Sequence, residues 1–301
     1  MERCNLCPRN CNADRTSTTG YCKAGTGIRV ARAALHFMEE PCISGKTGSG
    51  TVFFSGCNLR CVYCQNYTIS HENFGKEISV ERLAEIFLEL QEQGAVNINL
   101  VTGVMYVPWI LRALDRVKGQ LRIPVVYNSG GYESTETLRM LEGYVDIYLT
   151  DIKYYQEDLA IRYSAAPGYF FHGFAAAEEM IRQRGKPEFY DNASFDDETA
   201  VLKSGVIIRH LVLPGMRQDS IALLQHLSRN LNREDYILSL MSQFTPCYRC
   251  TEYKEINRRV TSFEYDSVIN KALELGLDRT YIQDRNSAGE EYTPSFCLEG
   301  C

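Results

Sequence analysis

A chain of 301 residues, 45% hydrophobic and 23% charged, carries enough apolar material for a sizeable core, arranged as one large domain with appendages or two modest ones. Its formal net charge of −6 gives no general attraction to nucleic acid or anionic lipid, so neither is expected as a partner. No run approaches the roughly 20 apolar residues needed to span a bilayer. The first residues lack the apolar core of a signal peptide, which points to a cytoplasmic protein.

Residues 1–50 read as irregular, with Gly, Asn, Ser and Thr set between cysteines, and form an expected Cys-rich metal-binding extension. One helical stretch is expected within it, over 30–39. From residue 51 the texture changes. A short apolar strand at 51–55 leads into a loop of three cysteines. A helix follows over 79–93, with Ser79 as its cap, Gly94 as its stop, and Val80, Leu83, Ala84, Ile86, Phe87 and Leu90 on one face. Strands are expected at 95–101, 123–127, 144–150, 206–213 and 236–241. Helices are expected between them at 107–118, 133–142, 157–163, 174–184 and 220–231. The acidic stretch 188–198 reads as a surface loop. Short strands alternating with helices of about a dozen residues mean parallel β/α units. Six strands suit an α/β fold of the partial (β/α)6, TIM-like barrel kind over 51–243, with a second Cys-bearing extension over 244–301. A doubly wound open sheet is the alternative, since both use right-handed crossovers.

The twelve cysteines are grouped rather than scattered. Disulfides staple distant segments, whereas metals collect thiolates within a turn, and the grouping here is of the second kind. In Gly56-Cys57-Asn58-Leu59-Arg60-Cys61-Val62-Tyr63-Cys64, three thiolates spaced C-x3-C-x2-C directly follow the first strand. They suit three irons of a [4Fe–4S] cubane. With no fourth local thiolate, one iron stays open to chelation by the amino and carboxylate groups of S-adenosylmethionine. One electron then breaks the bond between sulfur and the 5′ carbon, and the adenosyl radical abstracts hydrogen from a protein, peptide or small-molecule substrate. A structural zinc site borrowing a further cysteine, such as Cys42, is the plainer alternative. Cys4, Cys7, Cys11 and Cys22 offer four thiolates in the N-terminal extension, for an auxiliary [4Fe–4S] cluster or a zinc ion, with Cys42 able to replace one of them. Cys247, Cys250, Cys297 and Cys301 make a second four-thiolate set from two segments, for iron or zinc.

These motifs resemble the radical S-adenosylmethionine superfamily, near the activating enzymes of glycyl radical enzymes such as pyruvate formate-lyase, and more narrowly the PflX-type group. The resemblance runs through residues 4–11, 40–45, 53–61, 64–67, 151–154, 208–215 and 241–246. It implies that Cys57, Cys61 and Cys64 ligate the cluster and that Tyr63 lies by the adenine. It further implies that Asp151 and Lys153 sit near the methionine carboxylate, and that Arg209 faces the same ligand. The second strand ends Val101-Thr102-Gly103-Val104 with no carboxylate, leaving backbone or Thr102 to hold the amino group. The third ends Tyr127-Asn128-Ser129-Gly130-Gly131, which offers Ser129 to the cofactor. The implied partners are a flavodoxin- or ferredoxin-type electron donor and a protein or peptide substrate, with glycyl radical activation one form of the reaction. A non-catalytic iron–sulfur or zinc protein for electron transfer or assembly is the rival. No side chain stands out as acid, base or nucleophile. Gly45-Lys46-Thr47 is no phosphate loop, because position 40 is Glu and the strand follows instead of preceding it. The five histidines lack zinc-hydrolase spacing; of them His210 alone comes near the expected site.

Overall fold

The computed structural model describes residues 3–283 and 294–301. In chain order it runs β1 (Ile28–His36), α1 (Pro41–Ser44), β2 (Ser49–Phe54), α2 (Tyr67–Ser70), β3 (Lys76–Ile78), α3 (Val80–Glu92), β4 (Ile98–Val101) and α4 (Val107–Arg116). It continues with β5 (Val125–Ser129), α5 (Thr135–Met140), β6 (Ile147–Asp151), α6 (Glu157–Ser164), α7 (Tyr169–Arg184), β7 (Glu188–Phe189), β8 (Leu202–Leu211), α8 (Arg217–Asn230), β9 (Ile237–Met241), α9 (Ser262–Glu274) and β10 (Thr280–Ile282). The sheet order is β10-β9-β8-β6-β5-β4-β2-β1-β3, with β7 as a short antiparallel strand on β8. From β10 to β2 every neighbouring pair is parallel, while β1 and β3 add antiparallel strands beyond β2. This is a partial TIM-like barrel, with seven parallel strands among the described residues where six were expected.

Residues 30–39 are not a helix but most of β1. Their Ala- and Leu-rich composition favours a helix locally. The backbone of β2, however, has an unpaired edge on this side, and β1 satisfies it over 30–36 while pairing β3 over 28–30. Thus β1, from the expected N-terminal extension, and α9 and β10, from the expected C-terminal one, belong to the sheet and its helical layer. Within 188–198 the expected loop begins as β7. The end of the chain returns to β1, where Leu298 N–H donates to Ala31 and Ala33 N–H donates to the carbonyl of Glu299.

Strand alternation divides the core in two. One face of the parallel strands (Leu100, Tyr127, Tyr148, Ile208, Leu238) packs under the helices. The other lines the bore, with Val126, Ile147, Leu149, Ile207 and Ile237 as an apolar floor. Cys42 and Ile43 of α1 plug this floor from below, and Asn97 Nδ2 donates to the carbonyl of Ile43 at 2.7 Å. Toward the strands' C-terminal ends the same face turns polar, at Asn128, Asp151, Arg209 and Ser239.

His210, one residue along from Arg209, points the opposite way. Its Nδ1 meets the carbonyl of Ile152 at 2.7 Å and its Nε2 meets Ser220 Oγ of α8 at 2.8 Å. It is a buried structural histidine, and burial lowers its pKa to about 4. Because the folded value lies below the unfolded one, its contribution is present above about pH 6.5 and is lost as pH falls toward 4. Chemical denaturation at pH 7 and pH 5 should show about 2 kcal/mol of stability lost through this group, and His210→Gln should flatten that part of the profile.

Candidate active site

The three-cysteine loop leaves the top of β2 through Gly56, whose φ of +87° and close approach exclude other residues: an added Cβ would stand 2.3 Å from the carbonyl oxygen of Cys22. The loop is fastened from outside. Arg60 N–H donates to the carbonyl of Ser164 (3.0 Å), Val62 N–H to that of Tyr163 (2.8 Å), and Arg249 N–H to that of Val62 (2.9 Å). Each thiol has its own polar neighbour. Ser164 Oγ donates to Cys61 Sγ at 3.0 Å, Ser70 Oγ lies 3.2 Å from Cys64 Sγ, and Leu59 N–H donates to Cys57 Sγ at 3.4 Å. Burial pushes the thiols of Cys57 and Cys64 up to about 12, and each is pushed further by Cys61. The Cys61 thiol is likewise raised by burial, against the pull of the Lys153 ammonium. Three thiols that stay raised despite the pull of Arg60 and Lys153 suit a metal centre, whose positive charge would deprotonate them.

Cys57, Cys61 and Cys64 line one cavity of about 170 Å³ together with Thr102, Ser129, Asp151, Lys153 and Arg209. The donor set therefore fits a cubane: three thiolates on one wall, and facing them a polar wall without a fourth. Among the described residues no group of three or more His, Cys, Asp or Glu has the spacing to hold a single metal ion. Cubane thiolates bind different irons and need not converge on one point.

The polar wall is an ordered network. Arg209 Nε donates to Asp151 Oδ1 (2.8 Å), its Nη1 to Glu39 Oε2 (3.2 Å) and its Nη2 to Asn128 Oδ1 (2.7 Å). Lys153 Nζ pairs with the other oxygen of Asp151. Asn99 and Asn128 both donate to Glu39 Oε1. Burial opposes ionisation of Asp151, but Arg209 and Lys153 outweigh it and hold the carboxyl below the usual carboxylate range. Burial raises Glu39 and Glu40, with Arg209 opposing. Asp151 is thus a clamp between two cations, and Lys153 is the group turned toward Cys61. Thr102, at the end of β4, holds φ at +59°, a strained value for a β-branched residue and one found mainly where structure around a site imposes it. The Ser129 hydroxyl is engaged with Thr150 Oγ1 (3.2 Å) and Gly131 N–H (3.3 Å). Tyr63 lines the adjoining space, and its hydroxyl starts a chain through Tyr154 (2.6 Å) and Ser164 (2.7 Å) to Cys61 Sγ.

Glu39 and Asn99 escaped the sequence reading, and Glu40, although inside the resemblance at 40–45, was given no role. A pair of acids next to Pro41 by itself reads as a solvated turn.

The other cysteines fall in three places. Cys4, Cys7, Cys11 and Cys22 line one small cavity with Arg9, Tyr21 and Asn58, and Arg9 Nε donates to the carbonyl of Asn58 inside the three-cysteine loop. Cys42 is no ligand candidate for either group, because it is buried in the bore's floor beside Tyr281. Cys247 and Cys250 sit under the three-cysteine loop, against the carbonyls of Tyr63 and Val62, whereas Cys301 packs on the carbonyl of Val30 with Cys297 nearby. The expected four-thiolate set from these two pairs is therefore not assembled, since β1 captures the chain end on another part of the sheet.

Ser164→Ala removes one donor to Cys61 while leaving the thiol in place. Such a donor stabilises the electron-rich state, so its loss should lower a bound cluster's midpoint potential by about 50 mV, the equivalent of one hydrogen bond of ~1 kcal/mol. Spectroelectrochemical titration of the reconstituted variant checks this.

A family model described as the Radical SAM superfamily matches residues 51–195. An uncharacterized protein of Methanocaldococcus jannaschii is 30% identical over 291 residues, which cover 93% of this chain and 77% of that protein. The pyruvate formate-lyase-activating enzyme of Clostridium pasteurianum is 24% identical over 210 residues, covering 67% of this chain and 79% of that enzyme. Among solved structures, SuiB of Streptococcus suis bound to its precursor peptide SuiA aligns at a TM-score of 0.51 and 11% identity, over 76% of this chain and 46% of that one. SuiB bound to S-adenosylmethionine aligns at 0.50 and 10%, over 75% and 47%. The chain spans about half the length of those structures, and at this identity the likeness is one of fold. With the fold, the three-cysteine loop and these relatives in agreement, the chain belongs to the radical S-adenosylmethionine superfamily, and its cofactors are a [4Fe–4S] cluster and S-adenosylmethionine.

Proposed function

We propose that the protein is an enzyme that abstracts a hydrogen atom from a protein or peptide substrate, with glycyl radical activation as one form of that reaction. The observation that carries this reading is the shared cavity, in which three thiols face Lys153, Asp151 and Arg209 at the C-terminal ends of parallel strands. Bound together and reduced by one electron, the cluster and S-adenosylmethionine supply an adenosyl radical able to attack an unactivated C–H bond. Cys57, Cys61 and Cys64 hold the cluster. Lys153 pairs with the methionine carboxylate, and Asp151, itself fixed by Arg209, orients the Lys153 ammonium. Thr102 and the backbone beside it take the amino group, Ser129 completes that wall, and Tyr63 flanks the adenine. Burial of the loop beneath Phe244 and Tyr154 excludes water from the reacting region.

The N-terminal thiols Cys4, Cys7, Cys11 and Cys22, which line one cavity, hold an auxiliary [4Fe–4S] cluster against the radical loop at Gly56, since their spacing does not suit a single zinc ion. A flavodoxin- or ferredoxin-type protein supplies electrons in a reducing cytoplasm. Cys247 and Cys250, close behind Tyr63, are placed to act as a separate pair. A macromolecular substrate is supported by the activating-enzyme relative and by the peptide-bound neighbour. Among the described residues no helix is long and apolar enough to cross a membrane.

The test is anaerobic. Protein reconstituted with iron and sulfide is given dithionite and S-adenosylmethionine, with or without candidate proteins and peptides, and 5′-deoxyadenosine is quantified by mass spectrometry. Release that rises with one partner supports the reading. A cluster-loaded protein that fails to bind S-adenosylmethionine overturns it and favours a bare electron carrier.

A further inference from the structure

Among the described residues the bore opens sideways behind Arg209, where the parallel sheet ends at β10 on one side and passes into β1 on the other. Beside this gap lies a second cavity, about 320 Å³ in volume, lined by Glu39, Glu40, Arg209, Ser239, Met241 and Gln243. Arg209, Met241 and Gln243 also line the space next to Cys61 and Tyr63, so the two chambers share a wall. The exposed side chains of Phe37 and Met38 form an apolar rim.

The acids of this chamber differ. Glu39 is fully engaged by Arg209, Asn99 and Asn128. Glu40 is not. It is only 9% exposed, Ser239 hydrogen-bonds its carboxylate, and its Oε2 is buried without a partner. A buried carboxylate oxygen with nothing to accept from is costly, and a segment serving only as a plug would not need one. The next two residues, Cys42 and Ile43 after Pro41, show what the plug itself uses. The charges lead the same way. Three acidic side chains, Glu39, Glu40 and Asp151, stand here beside two basic ones, Arg209 and Lys153. Lys153 and Arg209 spend their hydrogen bonds on Asp151, Glu39 and Asn128; Arg209 acts on Glu40 only through space, and Oε2 of Glu40 is the carboxylate oxygen left to accept from something cationic.

We propose that this lateral chamber is the substrate site and that it takes an organic cation on an aliphatic stem, the ammonium or guanidinium of a peptide's lysyl or arginyl side chain. The charged head donates to Glu40 Oε2 and Ser239, the stem lies along Phe37 and Met38, and the carbons next to the head come to the wall shared with the cofactor chamber. The proposal rests on the radical S-adenosylmethionine reading above and narrows its substrate.

Equilibrium dialysis of the reconstituted full chain against Nα-acetyl-lysine methylamide and its uncharged norleucine counterpart tests it, with and without S-adenosylmethionine. Wild type should bind the lysine probe at least about tenfold more tightly, the scale of one charge-assisted hydrogen bond. Glu40→Gln should erase that preference while S-adenosylmethionine binds within about twofold of wild type, which also certifies the variant's fold. Equal binding of the two probes by wild type overturns the proposal without recourse to any variant. So does a preference that survives Glu40→Gln. A tenfold loss of S-adenosylmethionine affinity in Glu40→Gln overturns it too, by making the carboxylate a cofactor contact. Failure of the underlying reading shows separately, as wild type that does not bind S-adenosylmethionine whatever its preference between probes.

Discussion

Cys61→Ala protein, reconstituted without oxygen, is expected to release 5′-deoxyadenosine at least ~10³-fold more slowly than wild type, a loss of about 4 kcal/mol in barrier terms. Cys61 has Lys153 in its field and Ser164 bonded to its sulfur. With one of the three thiols gone, the loop would no longer hold the cluster firmly beside Lys153 and would lose the chemistry the cluster supplies. Iron content and the visible absorption of the cluster should fall together with turnover. Cys42→Ala is the informative companion. Cys42 is sealed in the bore's floor, so its loss should leave iron content and adenosyl release intact and cost only about 1 kcal/mol for the small void. If Cys42→Ala instead loses the metal, the three-thiolate assignment is wrong and the borrowed-cysteine zinc site returns.

Arg209→Ala is expected to destabilise the protein by about 3–5 kcal/mol, because it strips the counter-charge from buried Asp151 and Glu39 at once. For a chain of this size that is about 5–8 °C in melting temperature. The sign of the pH dependence follows from the same geometry. Without the guanidinium Glu39, already raised by burial, rises further and Asp151 is left with Lys153 alone, so the deficit is largest near neutrality and shrinks as pH falls and the carboxyls protonate. Adding Glu39→Gln should recover at least ~1 kcal/mol, since the two side chains are in direct contact. Denaturant melts at pH 7 and pH 5 on the single and double variants measure both effects. A deficit independent of pH would mean that Arg209 acts by packing alone.

Asp151 and Lys153 were legible in order and spacing, but their division of labour was not. The sequence puts an acid two residues before a base at a strand end. The fold inserts Arg209 from the neighbouring strand, which turns the acid into a clamp and leaves the base facing Cys61. Whether Arg209 points into the bore depends on which face of β8 is inward, and pairing with Asp151 and Ser239 decides that.

What the sequence determined by itself is local chemistry. The spacing of Cys57, Cys61 and Cys64 after an apolar strand named the cluster, and the alternation of short strands with helices named the barrel, because both signals lie within a few turns of chain. Only the tertiary structure decided the rest. It made residues 30–36 a strand by giving them the edge of β2. It separated Cys297 and Cys301 from Cys247 and Cys250 by holding the chain end on β1. It also carried Glu39 and Glu40, far from the motif in sequence, into the bore beside Arg209. Each of these depends on which segments meet across long stretches of chain, and burial, not residue type, gives a carboxylate or a thiol its role once they meet.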